Sequence, residues 1–346
     1  MSGFKIQPLV TIAVCTRDRP NALANCLFSI NRLNHMRKDV IVTDSSTPAL
    51  GEKVRETTEA YQFRYIHESR PGLSVARNAS IQASRGKFIA FTDDDCIVDV
   101  NWITQLIGNF SDSQVMCVTG RNISTKGEEE LFERFLSSHK GLEKHEFSLD
   151  SSSLTLSSLL KMGTKTTALR ESGPFPWCVG TGSNMAFRRE IFKSVGMFDE
   201  KLGAGTPQLG GEDMDMFFRI FSHGFKLVYN PEAVIYHDHQ HGRSLDAIAD
   251  TFFSYGRGAG CFMVKHLYDA YICLQYFGRF VNLEYALLKS LLERDKVGCN
   301  LRYRQFLGML SSLGYAFTKQ MSSEAKSSCK SGPDFNRQDS DRNSKL

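Results

Sequence analysis

The chain has no run of about 18 uninterrupted apolar residues, so no segment reads as a membrane-spanning helix. Residues 1–8 also lack the long apolar core of a signal peptide, and export is not expected. The nine cysteines stand singly, without a CxxC pair or regular spacing; they read as reduced thiols of a cytoplasmic protein, not as a zinc site or disulfide frame. An excess of one charge is missing too. The net charge is +4 over 346 residues and the basic residues are scattered, which leaves no nucleic-acid footprint. What remains is an ordinary globular balance, 41% hydrophobic and 23% charged, in a chain long enough for one large domain and an appendage.

Against that background one stretch stands out. Residues 87–95 run from an apolar, strand-like segment straight into Asp93, Asp94 and Asp95. Three adjacent carboxylates repel one another, so a cation is the expected partner. If the strand continues, residues two apart face the same way about 6.5 to 7 Å from each other, and Asp93 and Asp95 share one ligand. Hard carboxylate oxygens suit Mn²⁺ or Mg²⁺, ions that keep waters and bridge to a substrate phosphate. A plain acidic turn ending a strand is the alternative.

The first third alternates strand and helix signals. Strands are expected at 9–15, 39–42, 63–66, 87–92 and 115–119, and helices from Pro20, over 51–61, from Pro71-Gly72 to a left-handed Gly86, and over 101–110. Strands separated by such helices imply parallel βαβ units, whose ligands bind at the carboxyl ends of the strands. Thr16, Arg17, Asp44 and Asp93 to Asp95 all fall at such ends. Residues 124–175 read as a variable insertion or flap, 178–187 resume structure, and 233–236 form a strand leading to His237, His239 and His241. From 244 to about 317 the pattern is helical and aromatic, broken by Gly256-Arg257-Gly258-Ala259-Gly260; residues 322–346 are polar and expected to be disordered. The domain reading is a catalytic unit at 1–243, a helical region at 244–320 and a tail at 321–346.

A second acidic cluster, Gly210-Gly211-Glu212-Asp213-Met214-Asp215, opens a helix. Carboxylates suit a first turn on dipole grounds alone, and Asp215 can pair with Arg219 four residues on. The two glycines permit a ligand to approach the backbone closely, which leaves Asp213 as a candidate base for a substrate hydroxyl. The alternating histidines face one side of an extended segment, but no cysteine pair or obvious fourth ligand makes them a zinc site. One of them joining Asp95 on a divalent ion is the more economical reading, and His237 has the best-defined position.

Residues 15–20 (Cys-Thr-Arg-Asp-Arg-Pro), 42–46 (Val-Thr-Asp-Ser-Ser), 74–78 (Ser-Val-Ala-Arg-Asn), 91–95 (Phe-Thr-Asp-Asp-Asp) and 211–215 (Gly-Glu-Asp-Met-Asp) occur in the order and spacing of family 2 glycosyltransferases. The chain resembles that family from about residue 8 to residue 240. Any one motif is weak; five in order are specific. The resemblance implies an α/β GT-A fold, a mixed, mainly parallel sheet flanked by helices, here with a C-terminal helical extension. It also implies sugar transfer from a nucleotide diphosphate donor, usually with inversion. By motif match, Asp44 would bind the nucleotide base, and Thr16, Arg17 and Arg77 would line the base and diphosphate pocket. Asp93 and Asp94 would reach the ribose or metal waters, with Asp93 close enough to share the metal that Asp95 binds directly. Asp213 would be the general base, Glu212 would contact the acceptor, and His237 would be a looser match to a C-terminal metal or phosphate ligand. The QxxRW sequence of processive synthases is missing after the second acidic motif, so single addition to a glycan or lipid-linked acceptor fits better.

Two other readings compete. A nucleotidyltransferase or sugar-nucleotide pyrophosphorylase would carry a glycine-rich signature after the first strand, and residues 15–20 hold no glycine. A catalytically inactive sugar-nucleotide-binding module would be expected to lose Asp95 or Asp213. The C-terminal aromatic and basic residues either pack on the catalytic unit or lie in the cytoplasmic membrane interface as a peripheral contact.

Overall fold

A computed structural model of the chain describes residues 7–124, 144–147, 179–237 and 244–316. Most of the expected insertion, His239 and His241, and the polar tail lie outside the described residues.

The central strand β1 (Val10–Thr16) is buried along its whole length, as an apolar run inside a parallel sheet must be. Its alternate residues serve opposite cores. Val10, Ile12 and Val14 pack with helices α1 (Pro20–Asn31), α2 (Pro48–Ala60) and α4 (Trp102–Ile107), while Ala13 faces the other side. Strands β2 (Lys38–Asp44) and β4 (Phe88–Asp93) flank β1 in parallel, and β3 (Arg64–His67) extends β2. Helix α3 (Leu73–Ala83) makes the β3 to β4 crossover.

Beyond β4 the sheet becomes mixed. β5 (Cys96–Val98), β6 (Val115–Ser124), β7 (His145–Phe147), β8 (Met185–Arg188) and β9 (Lys226–His237) complete it, in the order β3-β2-β1-β4-β8-β6-β9-β5 with β7 also on β9. β8 runs antiparallel to both β4 and β6. Helices α5 (Ile191–Val195) and α6 (Glu212–Ser222) cover the second face through Ile191, Phe192, Met216, Phe217, Ile220 and Phe221.

Several local expectations are corrected. β4 ends at Asp93, so Asp94 and Asp95 lie in a turn and strand alternation does not govern them. Gly86 is not left-handed; it is needed because a Cβ there would sit 2.4 Å from the Thr11 nitrogen. β9 begins at Lys226, well before the expected 233, because its register jumps from Gly120↔Asn230 to Arg121↔Val234 around Pro231. Asn184 closes this bulge: its Nδ2 donates to the Ala233 carbonyl at 2.8 Å, and its Oδ1 accepts from Trp102 Nε1 at 2.8 Å.

The C-terminal region is helical, as expected: α7 (Leu245–Lys265), α8 (Ala270–Leu292), α9 (Lys296–Ser311) and α10 (Leu313–Ala316). The glycine-rich stretch does not break it. α7 runs through, and Gly256 and Gly308 let α7 and α9 meet backbone to backbone; a Cβ on Gly256 would lie 2.0 Å from the Gln305 carbonyl oxygen. Phe218 of α6 joins Ala259, Phe262, Met263 and Met309 in a third apolar cluster, which seats these helices on the catalytic unit.

Candidate active site

Parallel pairing sets Thr16 opposite Asp44, and Cys15 opposite Asp93, so the ends of β1, β2 and β4 lie level. The chain then turns. Asp94 is fully buried; its Oδ2 accepts from Thr16 Oγ1 at 2.6 Å, and its Oδ1 lies 2.6 Å from Arg19 Nη2. Burial pushes the Asp94 carboxyl up to about 7, against the pull of Arg19 and Thr16. Asp95 takes the other arm of the same guanidinium, Arg19 Nη1, at 2.7 Å.

Antiparallel pairing of β5 with β9 places Cys96 opposite His237, and His237 Nε2 thereby comes within 3.0 Å of Asp95 Oδ1. Burial works against the Asp95 charge, but the hydrogen bond and charge of His237, with Arg19, hold the carboxyl down to about 2. Burial likewise opposes charge on His237, and Asp95 outweighs it, so the imidazole is raised above its ordinary value.

Ligand atoms of Asp95, Cys96 and His237 lie within 4.8 Å of one another. The Cys96 thiol is pushed far up by burial and stays protonated, which leaves a carboxylate oxygen and an imidazole nitrogen, with the Asp93 carboxylate two residues away. That donor set fits Mn²⁺ or a similar divalent ion on one oxygen and one nitrogen, with substrate oxygens and water completing the shell.

The second half of the site is organised by Arg77 on α3, which is almost wholly buried. Its Nη1 donates to Glu212 Oε1 at 2.8 Å, its Nη2 lies 3.7 Å from Asp93 Oδ1, and Nη2 also donates to the Gly182 carbonyl at 3.1 Å. Arg77 and Glu212 were each expected on a substrate; the fold pairs them with each other. Gly182 then turns its N–H to Asp213 Oδ2 at 2.9 Å, and Asp213 Oδ1 accepts from the Met214 nitrogen at 2.8 Å. A Cβ on Gly182 would lie 2.6 Å from Arg77 Nη2, so any larger residue there would push the guanidinium out of this arrangement. Burial, reinforced by the neighbouring Glu212 charge, raises Asp213 to about 6.

Asp44 is fully buried and engaged inside the protein, accepting from Tyr65 Oη at 2.9 Å and from the Ser46 nitrogen at 2.8 Å. Arg17 is more than half exposed and lies 3.7 Å from Asp18. The Gly210-Gly211 pair does not open the backbone to a ligand. Gly211, left-handed at φ +90°, is where α7 approaches: a Cβ there would meet the Gly258 carbonyl oxygen at 2.5 Å. The Asp215 to Arg219 pair forms as its spacing implies, at 2.9 Å.

Sequence reasoning gave no role to Arg19, Tyr65 or Gly182. Arg19 had a signal, being the basic residue directly before the helix-opening Pro20 at a strand's carboxyl end. Tyr65 and Gly182 had none, since their importance arises from contacts across the fold.

A curled, mixed sheet with an aspartate turn at the carboxyl ends of its strands and a carboxylate-bearing helix opposite defines a GT-A glycosyltransferase fold. Residues 11–196, more than half of the chain, match glycosyl transferase family 2, and the chain belongs to that family. Among curated proteins it is 26% identical over 258 residues to the pre-mycofactocin glycosyltransferase of Mycobacterium tuberculosis, covering 74% of this chain and 48% of that protein. It is 27% identical over 259 residues to the succinoglycan biosynthesis protein ExoM of Rhizobium meliloti, covering 72% and 74%. The chain thus spans about half the length of the first of these relatives. Among solved structures it resembles the mannosyltransferase PcManGT of Pyrobaculum calidifontis, in complex with GDP-Man and Mn²⁺, at TM-score 0.62 and 15% identity over 89% of this chain and 88% of that one. It also resembles GalNAc-T7 with UDP, GalNAc and Mn²⁺, at TM-score 0.50 and 17% identity over 76% and 51%. Among the described residues, no helix is long and apolar enough to cross a membrane.

Proposed function

We propose that the protein transfers a sugar from a nucleotide-diphosphate sugar, a UDP-sugar first, to an acceptor hydroxyl with inversion. The carrying observation is the pairing of two chemically distinct carboxylate centres in one site. Asp95, held ionised beside His237, is suited to a cation. Asp213, raised to about 6, is suited to accept a proton near neutral pH. Arg77 ties the two together through Asp93 and Glu212.

In this reading Asp95 and His237, with Asp93 beside them, would hold Mn²⁺ or Mg²⁺, and the ion would supply positive charge to offset that of the departing diphosphate. Arg19 holds the aspartate turn in place, and Thr16 fixes Asp94. Asp94 acts by shaping the turn, since its carboxylate is buried, and Arg17 is the exposed guanidinium able to reach a phosphate. Asp44 and Tyr65 form the floor under the nucleotide base. Asp213, oriented by the Gly182 N–H, takes the acceptor proton as the bond to the anomeric carbon forms, and Glu212 keeps Arg77 in register beside it. Inversion needs only this base opposite the leaving group. The likeness to a succinoglycan biosynthesis protein favours glycan assembly, and the acceptor in this reading is a glycan or a lipid-linked sugar. Isothermal titration of UDP and GDP with and without Mn²⁺ tests the donor half, and loss of nucleotide release from UDP-glucose or GDP-mannose in Asp213→Asn tests the base.

One observation favours a peripheral membrane contact. Phe277, Val281, Tyr285, Leu288 and Leu292 lie along one face of α8, and all are exposed. A lipid surface that also carries the acceptor would cover this stripe. Flotation of the full chain with vesicles containing anionic lipid tests this; protein that stays unbound at low salt contradicts it.

A further inference from the structure

Asp215 lies two residues beyond Asp213 in the first turn of α6, fully buried, and it holds more partners than a helix-start carboxylate requires. Arg219 of its own helix is 2.9 Å from Oδ2. Oδ1 takes two further groups from the end of α7 and the residue after it: Lys265 Nζ at 2.8 Å and His266 Nε2 at 2.7 Å. Lys265 also reaches Asp199 Oδ2 at 2.6 Å, and His266 Nδ1 meets Tyr268 Oη at 3.2 Å. The ring of His266 is set between Phe218 and Phe262, with centroids 4.6 and 5.2 Å away.

The same helix grips the approach to Asp213 from its other side. Arg257 Nε donates to the Pro207 carbonyl at 2.6 Å, and a Cβ on Gly258 would lie 2.7 Å from the Gly210 carbonyl carbon. α7 therefore contacts the chain just before Asp213 and just after it. A carboxylate held by three cationic or ring donors in a buried setting has one allowed position, so the first turn of α6 cannot swing.

We infer that Lys265 and His266 are positioning residues for Asp213, acting through Asp215, so that the C-terminal helices complete the site that aims the base. The inference rests on the assignment of Asp213 as base in the proposed transfer reaction.

The test uses the full chain, with His266→Ala and Lys265→Met beside the conservative His266→Gln and Lys265→Arg. Turnover is read as nucleotide diphosphate release from UDP-glucose or GDP-mannose, per molecule competent to bind UDP or GDP in Mn²⁺. His266→Ala and Lys265→Met should lower kcat by about tenfold or more, with nucleotide Kd within about twofold of wild type; the conservative variants should recover most of the loss. A structural role alone would lower melting temperature and the binding-competent fraction and leave kcat per competent molecule unchanged, and that result overturns the inference. Should His266→Ala not fold, His266→Asn, whose shorter amide cannot span to Asp215, is read the same way, and unfolding of both also overturns it. Wild-type protein that binds no nucleotide contradicts the transferase reading itself; normal binding and turnover indifferent to both residues contradict only this inference.

Discussion

His237 and Asp95 stand 142 positions apart in the chain and 3.0 Å apart in the fold, because β5 and β9 pair antiparallel with Cys96 opposite His237. A cation held by both residues, as proposed, would take the hydrogen-bonded position between them, and the neighbouring Asp95 raises the affinity of His237 for a proton there. Binding a divalent ion must displace that proton, because a protonated imidazole offers no lone pair. The raised affinity of His237 for its proton sets the sign: below its folded-state value the proton competes, and above it the site is open. Mn²⁺ affinity, measured by titration in the presence of UDP, is expected to rise with pH as His237 loses its proton and to lose most of that slope in His237→Ala. A flat profile in wild type would remove His237 from the metal.

Asp213 predicts a second pH dependence, in turnover. A base must be ionised, and its carboxyl is raised to about 6, so kcat/KM should fall as pH drops through about 6 and level off above it. Asp213→Asn should lower kcat by about 10² or more and leave nucleotide affinity within a few-fold. A variant that keeps near-normal transfer would move the base elsewhere.

The helix contact beneath the second acidic motif predicts a stability effect. A methyl group on Gly258 would lie 2.7 to 2.9 Å from backbone atoms of Gly210 and Gly211, which cannot rotate away as a side chain would. Gly258→Ala should destabilise the protein by about 1 to 3 kcal/mol in denaturant unfolding. A neutral result would mean that α7 can slide on this loop at little cost.

Much of this fold is legible in the sequence where the chemistry is local. The buried run of β1, the Pro20 helix start, the aspartates ending β4 and the Asp215 to Arg219 spacing are written in nearby residues, whereas the second helix, expected from 51, begins at Pro48. What is hidden depends on distant pairing. Pro231 and the bulge around it disguise the first half of β9, so only its last turn of sequence reads as strand. The glycines at 256, 258 and 260 read as a helix break, yet the first two remove a side chain where another backbone passes and Gly260 leaves room for the Ser312 side chain, contacts no local pattern discloses. Arg77 and Glu212 were legible as functional candidates but not as each other's partner, because 135 residues separate them. The same holds for Lys265 and His266, which nothing nearby marks as partners of Asp215.

The most direct test of the account is calorimetric titration of UDP and GDP into wild type and Asp95→Asn, each with Mn²⁺ and with a chelator. The account predicts tight binding of at least one nucleotide only in Mn²⁺, and a loss of about 1 to 3 kcal/mol in the variant, whose fold is otherwise retained. Binding that is equal in wild type and Asp95→Asn, or equal with and without metal, would contradict it.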